Sequence, residues 1–438
     1  MRILIYSYNY FPEPIGIAPL MTELAEGLVG RGHEVRVVTA MPWYPQREIY
    51  PGYKGKPYLT EKRNGVYIQR NYVWVRPHPG LVDRVLLDGS FVISSCLHAL
   101  QGTRPDVILM TAPPLPVSVP AAVLGMIWRC PVVLNLQDIL PEAAVHTGLL
   151  RSKLLIRIFS ILEKFAYRVA TQISVIADGF VDNLVNKKGT PPEKITLIPN
   201  WVNINFIRPL PKQDNSFRKA HRIEGKFVVM YSGNIALTQG IETVVKAAAL
   251  LLHQLGKLSE KIQCELGTEL SEKIQRDIRV VIVGEGRALS ELQQCRQEQE
   301  ADNVLLLPFE PRGRLPQMLA AADVGLIVQK RNVISFNMPS KTPLLLASGR
   351  AIIASVPANG TAARAVTRSG GGVIVAPEEP EALAAEILRL YLHPDKAAAL
   401  GEQGRRYAVE HYGIERALDR YEALFRAIAI APRSRPIA

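Results

Sequence analysis

The segment Phe336–Gly349 (FNMPSKTPLLLASG) carries the most informative chemistry in this sequence. Pro339 suits the first turn of a helix, and the Ser340 hydroxyl can accept hydrogen bonds from free backbone N–H groups there. Lys341 would place a cation beside an anion bound at the same helix start. The pattern therefore predicts an anion site, and a capped helix with a solvated lysine is the plainer alternative.

Four glycine-bearing turns lie next to predicted strands, and glycine at such a turn lets the backbone approach a ligand closely. A helix that begins there also offers N–H groups to a diphosphate. Ordinary tight turns between strand and helix are the alternative interpretation. Because no complete GxGxxG motif is present, the turns do not favour a dinucleotide-dependent dehydrogenase. They contain Gly16-Ile17, Gly233-Asn234, Gly284-Glu285-Gly286 and the run Gly370–Gly372.

Asp138 directly follows a predicted buried strand, where a carboxylate can bind a sugar hydroxyl or cap the next helix. Both roles remain open, and the nearby His146 is interpreted as structural. The sequence has no HExxH, paired-cysteine or EF-hand pattern, so no protein-bound metal is indicated. Its four cysteines are interpreted as buried thiols in a reducing compartment. No GxSxG nucleophile elbow is present.

Short apolar runs alternate with amphipathic segments along the chain, which is typical of α/β sheets. A polar stretch, Pro211–Lys226, separates two such series, and a duplicated LSEKIQ segment at 258–263 and 270–275 is interpreted as a surface insertion. We predict domains over residues 1–207 and 208–410, and a C-terminal helix within 411–438 that crosses back to the first domain. The predicted strands span residues 2–8, 34–39, 66–72, 107–111, 132–136, 172–175, 195–198, 227–232, 280–283, 304–307, 324–328, 351–354 and 372–375.

The chain has 438 residues and a net charge of +12, which favours two domains and anionic partners. No signal peptide or membrane-spanning stretch is expected, and nucleic acid is the least favoured partner. Leu149–Ala170 is basic and amphipathic. It either lies on an anionic membrane surface or packs on the core with a solvated charged face. The expected location is cytoplasmic, with the inner face of the cell membrane as a peripheral site.

Several longer motifs occur in the order found in glycosyltransferase family 4, and the sequence resembles its colanic acid biosynthesis branch. The resemblance covers nearly the whole chain. Its motifs are NYFPEPIGIAPLMTELAEGLVGRGHEVRVVTAMPWYP (Asn9–Pro45), QDILPEAAVHTG (Gln137–Gly148), IPNWVN (Ile198–Asn203), SGNIALTQGIE (Ser232–Glu242), VGEGR (Val283–Arg287), LPFEPRGRLPQMLAAADVGLIV (Leu307–Val328) and PSKTPLLLASGRAIIAS (Pro339–Ser355).

The resemblance implies an α/β GT-B fold, in which two Rossmann-like domains face a central cleft. The C-terminal domain would bind a nucleotide sugar and the N-terminal domain the acceptor. Transfer would retain the anomeric configuration and need no metal cofactor. Asp138 and Lys341 would then serve catalysis, and the donor would contact Gly16, Ile17, Gly233, Asn234, Gln239, Glu285, Gly286, Phe309, Glu310 and Ser340.

The sequence departs from the wider family at four positions that bind the donor. Phe336 and Leu344 occupy the places of two glutamates, the second of which binds the nucleotide ribose in that family. Asn234 and Gln239 replace an Arg and a Lys that clamp the diphosphate; their amides donate hydrogen bonds without charge. Lys341 is the leading substitute for the lost charge, with Arg287 and Arg312 less favoured.

The leading hypothesis is a retaining hexosyltransferase of exopolysaccharide or other cell-surface polysaccharide biosynthesis, acting on a glycan or a polyprenyl-diphosphate-linked saccharide. Two alternatives stay open because of the four departures. One is a non-catalytic protein that binds sugar nucleotides as a partner subunit. The other is a sugar-nucleotide epimerase of the same fold, which would need no acceptor.

Overall fold

The computed structural model describes residues 1–14, 16–77, 80–142, 145, 152–236, 238–253, 268–333, 336 and 338–430. It divides into two compact units. The N-terminal unit comprises the chain up to Asn200 together with the residues from Ile414 onwards, and the C-terminal unit comprises Trp201–Gly413.

Among the described residues, the N-terminal unit contains an eight-stranded sheet in the order β3-β4-β2-β1-β5-β6-β7-β8. All neighbouring strands are parallel except β3 and β4, which are antiparallel. The strand order reverses direction between β1 and β5. The strands are β1 (Arg2–Tyr6), β2 (Glu34–Ala40), β3 (Tyr58–Arg63), β4 (Val66–Asn71), β5 (Val107–Ala112), β6 (Val132–Leu136), β7 (Gln172–Val175) and β8 (Ile195–Leu197).

The described part of the C-terminal unit contains a six-stranded parallel sheet in the order β11-β10-β9-β12-β13-β14. Its direction of winding reverses between β9 and β12, and open α/β sheets bind ligands at such switch points, beyond the carboxyl ends of the strands. The strands are β9 (Phe227–Ser232), β10 (Ile278–Val283), β11 (Val304–Leu307), β12 (Val324–Val328), β13 (Ala351–Ser355) and β14 (Gly372–Val375).

Helices connect and cover the strands. The described helices are α1 (Ala18–Gly30), α2 (Leu81–Ala99), α3 (Ser118–Trp128), α4 (Lys153–Val169), α5 (Asp178–Asn186), α6 (Ser216–Ala220), α7 (Glu242–His253), α8 (Thr268–Asp277), α9 (Leu289–Glu298), α10 (Leu315–Ala320), α11 (Lys341–Ala347), α12 (Thr361–Ser369), α13 (Pro380–Leu392), α14 (Pro394–His411) and α15 (Ile414–Ile430).

The central strands are buried along their whole length because helices cover both faces of each sheet. Every residue of β5, β6, β12 and β13 is buried, as near-continuous apolar runs such as VILM and VGLIV indicate. Strand β3 is different, since its residues alternate between exposed and half-buried at the edge of the sheet. It is absent from the predicted strands because YLTEKR contains no apolar run.

Two separate helices, α14 and α15, occupy the C-terminal part of the described chain, and α15 lies within the range 411–438 expected for a C-terminal helix. Helix α14 ends before Tyr412 and belongs to the C-terminal unit, whereas α15 belongs to the N-terminal unit. At the break, Val202 N–H donates to the Tyr412 carbonyl at 2.8 Å, and Val202 pairs with Gly413. The two segments that connect the units therefore pair with each other, and the first division falls at Asn200, slightly before the expected residue 207.

Some sequence features fall outside the described residues: His146, Cys264, the first LSEKIQ copy and the start of the basic segment at 149–151. The second copy forms part of α8. Cys96, Cys130 and Cys295 form no disulfide in the described part of the chain, and they are half-buried where burial was expected.

Helix α15 is held in the N-terminal unit by ion pairs and by a buried hydrogen bond. Arg31, just after α1, pairs with Asp419 at 2.8 Å and Glu422 at 3.0 Å. The fully buried Tyr421 accepts a hydrogen bond at 2.9 Å from Asn135 Nδ2, on β6. Because an unpaired buried polar atom is costly, this contact specifies where the helix lies on the sheet.

We predict that Tyr421→Phe lowers the free energy of unfolding by about 1–3 kcal/mol, because one Asn135 N–H loses its acceptor. Urea unfolding followed by tryptophan fluorescence reports mainly on this unit, which holds Trp43, Trp74 and Trp128. Tyr67→Phe, at an exposed ring, is the matched control and should change stability by less than about 0.5 kcal/mol. Equal stability of the two variants would contradict this role of Tyr421.

Candidate active site

The glycine turns after β9 and β10 form one structure at the carboxyl end of the second sheet. Gly233 N–H donates to the Val283 carbonyl at 3.0 Å, and Ile235 N–H donates to the Glu285 carbonyl at 2.8 Å. A Cβ on Gly284 would lie 2.0 Å from the Gly233 oxygen. A Cβ on Gly286 would lie 2.2 Å from the Ile235 oxygen. Glycine at 284 and 286 is thus required for the two turns to pair.

Lys341, the first residue of α11, points its amine at this pair of turns. Its Nζ is buried and has no hydrogen-bond partner in the described part of the chain. The Nζ lies 3.4 Å from the ring centroid of Tyr231, which is the penultimate residue of β9. It would also lie 3.0 Å from a Cβ on Gly233. The Lys341 amine therefore lies between the Tyr231 ring and the turn at Gly233.

Burial without an anionic partner lowers the pKa of the Lys341 amine from 10.5 to about 7. The Tyr231 ring compensates for part of the lost hydration through a cation–π contact, and its hydroxyl donates to the Asn234 carbonyl at 2.9 Å. Burial raises the pKa of that hydroxyl as well, so Tyr231 stays neutral. A bound anion would supply the negative partner that the Lys341 amine lacks.

Ser340 is exposed and precedes α11, but its side chain makes no capping hydrogen bond. The expected capping role is therefore wrong. The physical reason is that Ser340 already has helical backbone angles, φ −59° and ψ −20°, whereas a capping residue needs an extended conformation. Its hydroxyl remains at the surface beside Lys341 in sequence.

Gln239 lies in the loop between β9 and α7, which is held against Lys330, the second residue after β12. Lys330 N–H donates to the Thr238 carbonyl at 3.1 Å, so the loop crosses the switch point between β9 and β12. The Gln239 Oε1 is buried and has no hydrogen-bond partner within the described residues. Its amide is thus placed at the same end of the sheet as Gly233.

Asn234, Glu285 and Gly286 lie together on the outer side of the paired turns. Asn234 and Glu285 are exposed, and a Cβ on Gly286 would be 2.7 Å from Asn234 Oδ1. Phe309 and Glu310 lie one strand further out, after β11. Phe309 is half exposed, and the Glu310 carboxylate is 3.8 Å from His221 and 3.7 Å from Arg314.

The candidate residues of the N-terminal unit lie at the carboxyl ends of β1 and β6. Gly16 has a left-handed φ of 71° and is exposed, and Ile17 directly precedes α1. Asp138 Oδ1 accepts a hydrogen bond from Ile139 N–H at 2.9 Å. Burial raises the pKa of the Asp138 carboxyl, and that hydrogen bond opposes the shift.

Two residues at these sites were not identified from the sequence. Tyr231 is hidden in the apolar run FVVMYS, and its only signal is its position two residues before Gly233. Glu13 is buried and accepts hydrogen bonds from Trp43 N–H at 2.9 Å and Tyr44 N–H at 2.8 Å. It ties the β1 loop to the β2 loop, and burial raises the pKa of its carboxyl.

Comparison with known proteins identifies both parts of the chain. Residues 16–201 match a glycosyl transferase 4-like domain, and residues 212–407 match glycosyl transferases group 1. WcaI from Escherichia coli, described as a colanic acid biosynthesis glycosyl transferase, is 29% identical over 93% of this chain and 96% of its own length. The chain belongs to the family 4 glycosyltransferases.

Solved structures show the same GT-B fold. Sucrose-phosphate synthase from Thermosynechococcus elongatus matches with a TM-score of 0.71 and 16% identity, over 97% of this chain and 98% of its own. HepE from Anabaena, solved with UDP-glucose, matches with a TM-score of 0.68 and 17% identity, over 98% of this chain and 100% of its own.

Two of the four positions at which the sequence was expected to depart from the wider family carry apolar side chains. Phe336 is buried and Leu344 is half-buried on α11. Among the described residues, no helix is long and apolar enough to cross a membrane, and no three acidic, histidine or cysteine side chains cluster to hold a metal.

We predict that Lys341→Met stabilises the unliganded protein by on the order of 3 kcal/mol at pH 6. The lysine is protonated in both states below about pH 7, and its burial then disfavours the folded state. The penalty declines as pH rises from about 7 to 10.5, so the difference between variant and parent should vanish towards pH 10.5. Urea unfolding across this range measures it. A variant less stable than the parent at pH 6 would contradict an unpartnered amine.

Proposed function

We propose that this protein transfers a hexose from a nucleotide sugar to a saccharide acceptor, with retention of anomeric configuration, in cell-surface polysaccharide biosynthesis. The observation that carries the proposal is the buried Lys341 amine without a partner, beside Gly233 at the switch point of the second sheet. A buried cation of this kind is stabilised by an anion, and the donor's diphosphate is such an anion.

In this proposal one cationic side chain binds the donor's diphosphate, whereas the wider family uses two. Lys341 would bind the diphosphate, while the amides of Asn234 and Gln239 donate hydrogen bonds to it. The glycine turns would let the diphosphate approach the backbone closely. Glu285, Gly286, Phe309, Glu310 and Ser340 would contact the rest of the nucleotide. The solved complex of HepE with UDP-glucose supports a nucleotide-sugar donor for this fold.

In the proposed reaction the acceptor hydroxyl attacks on the face from which the diphosphate leaves. The bond between the sugar and the diphosphate breaks as the new glycosidic bond forms, and the departing phosphate oxygen takes the proton. Lys341 stabilises the negative charge that develops on the diphosphate, and a cation already in position makes a large contribution of this kind. The reaction then needs no bound metal.

In the N-terminal unit, the proposal assigns substrate-binding roles to Asp138, Gly16 and Ile17. Within the described residues, Asp138 accepts a hydrogen bond from the next residue's N–H through Oδ1, and its second oxygen would bind a sugar hydroxyl. Gly16 and Ile17 would face the donor phosphates. The relationship to WcaI supports an acceptor from polysaccharide assembly, either a glycan or a lipid-linked saccharide.

We predict that transfer requires Lys341. Incubation with UDP-, GDP-, ADP- and dTDP-sugars and saccharide acceptors, with products read by mass spectrometry, should reveal one active donor. Lys341→Met should slow turnover about 100-fold or more, because the charge on the leaving diphosphate loses its cation. Lys396→Met, at an exposed site on α14, is the matched control and should stay fully active.

Product analysis separates the proposal from its alternatives. The anomeric configuration, read by NMR, should match that of the donor, and EDTA should leave the rate unchanged. Donor binding without transfer to any acceptor would favour the non-catalytic partner. Conversion of the donor in the absence of an acceptor would favour the epimerase. Full activity of Lys341→Met would contradict the proposed donor site.

A further inference from the structure

Helix α2 buries a polar network beside the Phe91 ring and exposes a row of apolar side chains. His98 Nδ1 donates to Asn71 Oδ1 at 2.9 Å, and its Nε2 accepts from the Thr60 hydroxyl at 3.2 Å. Ser94 donates to the Tyr72 carbonyl at 2.8 Å, and Ser95 bonds to the Tyr6 hydroxyl. The inner face thus combines buried hydrogen bonds with the packing of Phe91 on Tyr6 and Tyr8.

The outer face of α2 is apolar along its length. The exposed side chains recur at helical spacing, which places them on one side, and Ile93 and Leu97 are 69% and 62% exposed. The described acidic residues of α2 are Asp83 and Asp88, and both are half-buried. Single exposed apolar residues are ordinary, but a continuous stripe marks an interaction site. The stripe consists of Val82, Val85, Leu86, Ile93 and Leu97, followed by Leu100.

The neighbouring helices extend this surface. Helix α2 packs against α3, and α3 packs against α4, so the three form one layer. Helix α3 exposes Met126 and Ile127, and α4 exposes Leu154, Ile158 and Ile161. We call the exposed apolar side chains of α2, α3 and α4 the outer apolar face.

Positive charge accompanies the outer apolar face. Helix α4 exposes Lys153, Arg157, Lys164 and Arg168. Its acidic residue, Glu163, is buried and pairs with Lys188 at 2.9 Å. Among the described residues of these three helices, every exposed charged side chain is therefore a cation.

We propose that the outer apolar face docks on an anionic lipid membrane. The apolar side chains would enter the boundary between headgroups and acyl chains, and the cations of α4 would bind the lipid phosphates. A second copy of the chain fits less well, because a two-fold contact brings the same cationic face against itself. The basic segment expected to meet a membrane supplies the charge, whereas α2 supplies most of the apolar contact.

This proposal rests on the helical layer and not on the activity of the enzyme, so either can fail alone. The full chain is floated with vesicles of phosphatidylcholine, with and without phosphatidylglycerol. It should float with the anionic vesicles and be released by salt. Ile93→Gln combined with Leu97→Gln should weaken this binding about tenfold or more, since it removes two exposed apolar side chains. Arg157→Gln combined with Lys164→Gln should weaken it roughly fivefold per cation.

The matched control combines Leu392→Gln and Val409→Gln, which replace exposed apolar residues of the C-terminal unit. It should float like the parent, and all variants should keep the parent's melting temperature. Absence of flotation with anionic vesicles would overturn the proposal. So would a concentration-dependent dimer, seen by light scattering and lost in the Ile93/Leu97 variant, that does not float.

Discussion

The buried amine of Lys341 is the interaction on which the account of this protein depends. It is held against the Tyr231 ring, at 3.4 Å from the centroid, and beside the turn at Gly233. A cation in this position is unfavourable for the empty protein, and burial lowers its pKa to about 7. An anion bound beside the amine would favour its protonated form, because the negative charge would replace the hydration that burial removed.

The fold of the C-terminal unit determines where this amine lies. The reversal of winding between β9 and β12 opens the carboxyl end of the sheet, and α11 begins there. Gly284 and Gly286 let the two turns pair through backbone hydrogen bonds, so the floor of the site is built from main chain. The proposed donor site would therefore bind the diphosphate by its shape and by one charge, that of Lys341.

The sequence predicts the fold well because buried parallel strands are apolar runs, and nearly all strand positions follow from them. It does not predict β3, whose alternating charged residues carry no such signal. The pairing of Gly233 with Gly284 joins residues far apart in the chain, and no local pattern encodes it. For the same reason, the sequence pattern of α2 does not show which of its faces is buried. The hydrogen bond between His98 and Asn71, which joins residues far apart in the chain, places the His98 side of the helix against the sheet.

The most direct test measures the titration of Lys341 by NMR in protein labelled at the lysine side chains, with Lys341→Met to assign the signal. In the free protein the amine should titrate near pH 7. With a bound nucleotide sugar, whose diphosphate is fully ionised over this range, the titration should move upwards by several units. A Lys341 signal that titrates near 10.5 in the free protein, or that does not move when the donor binds, would contradict the account.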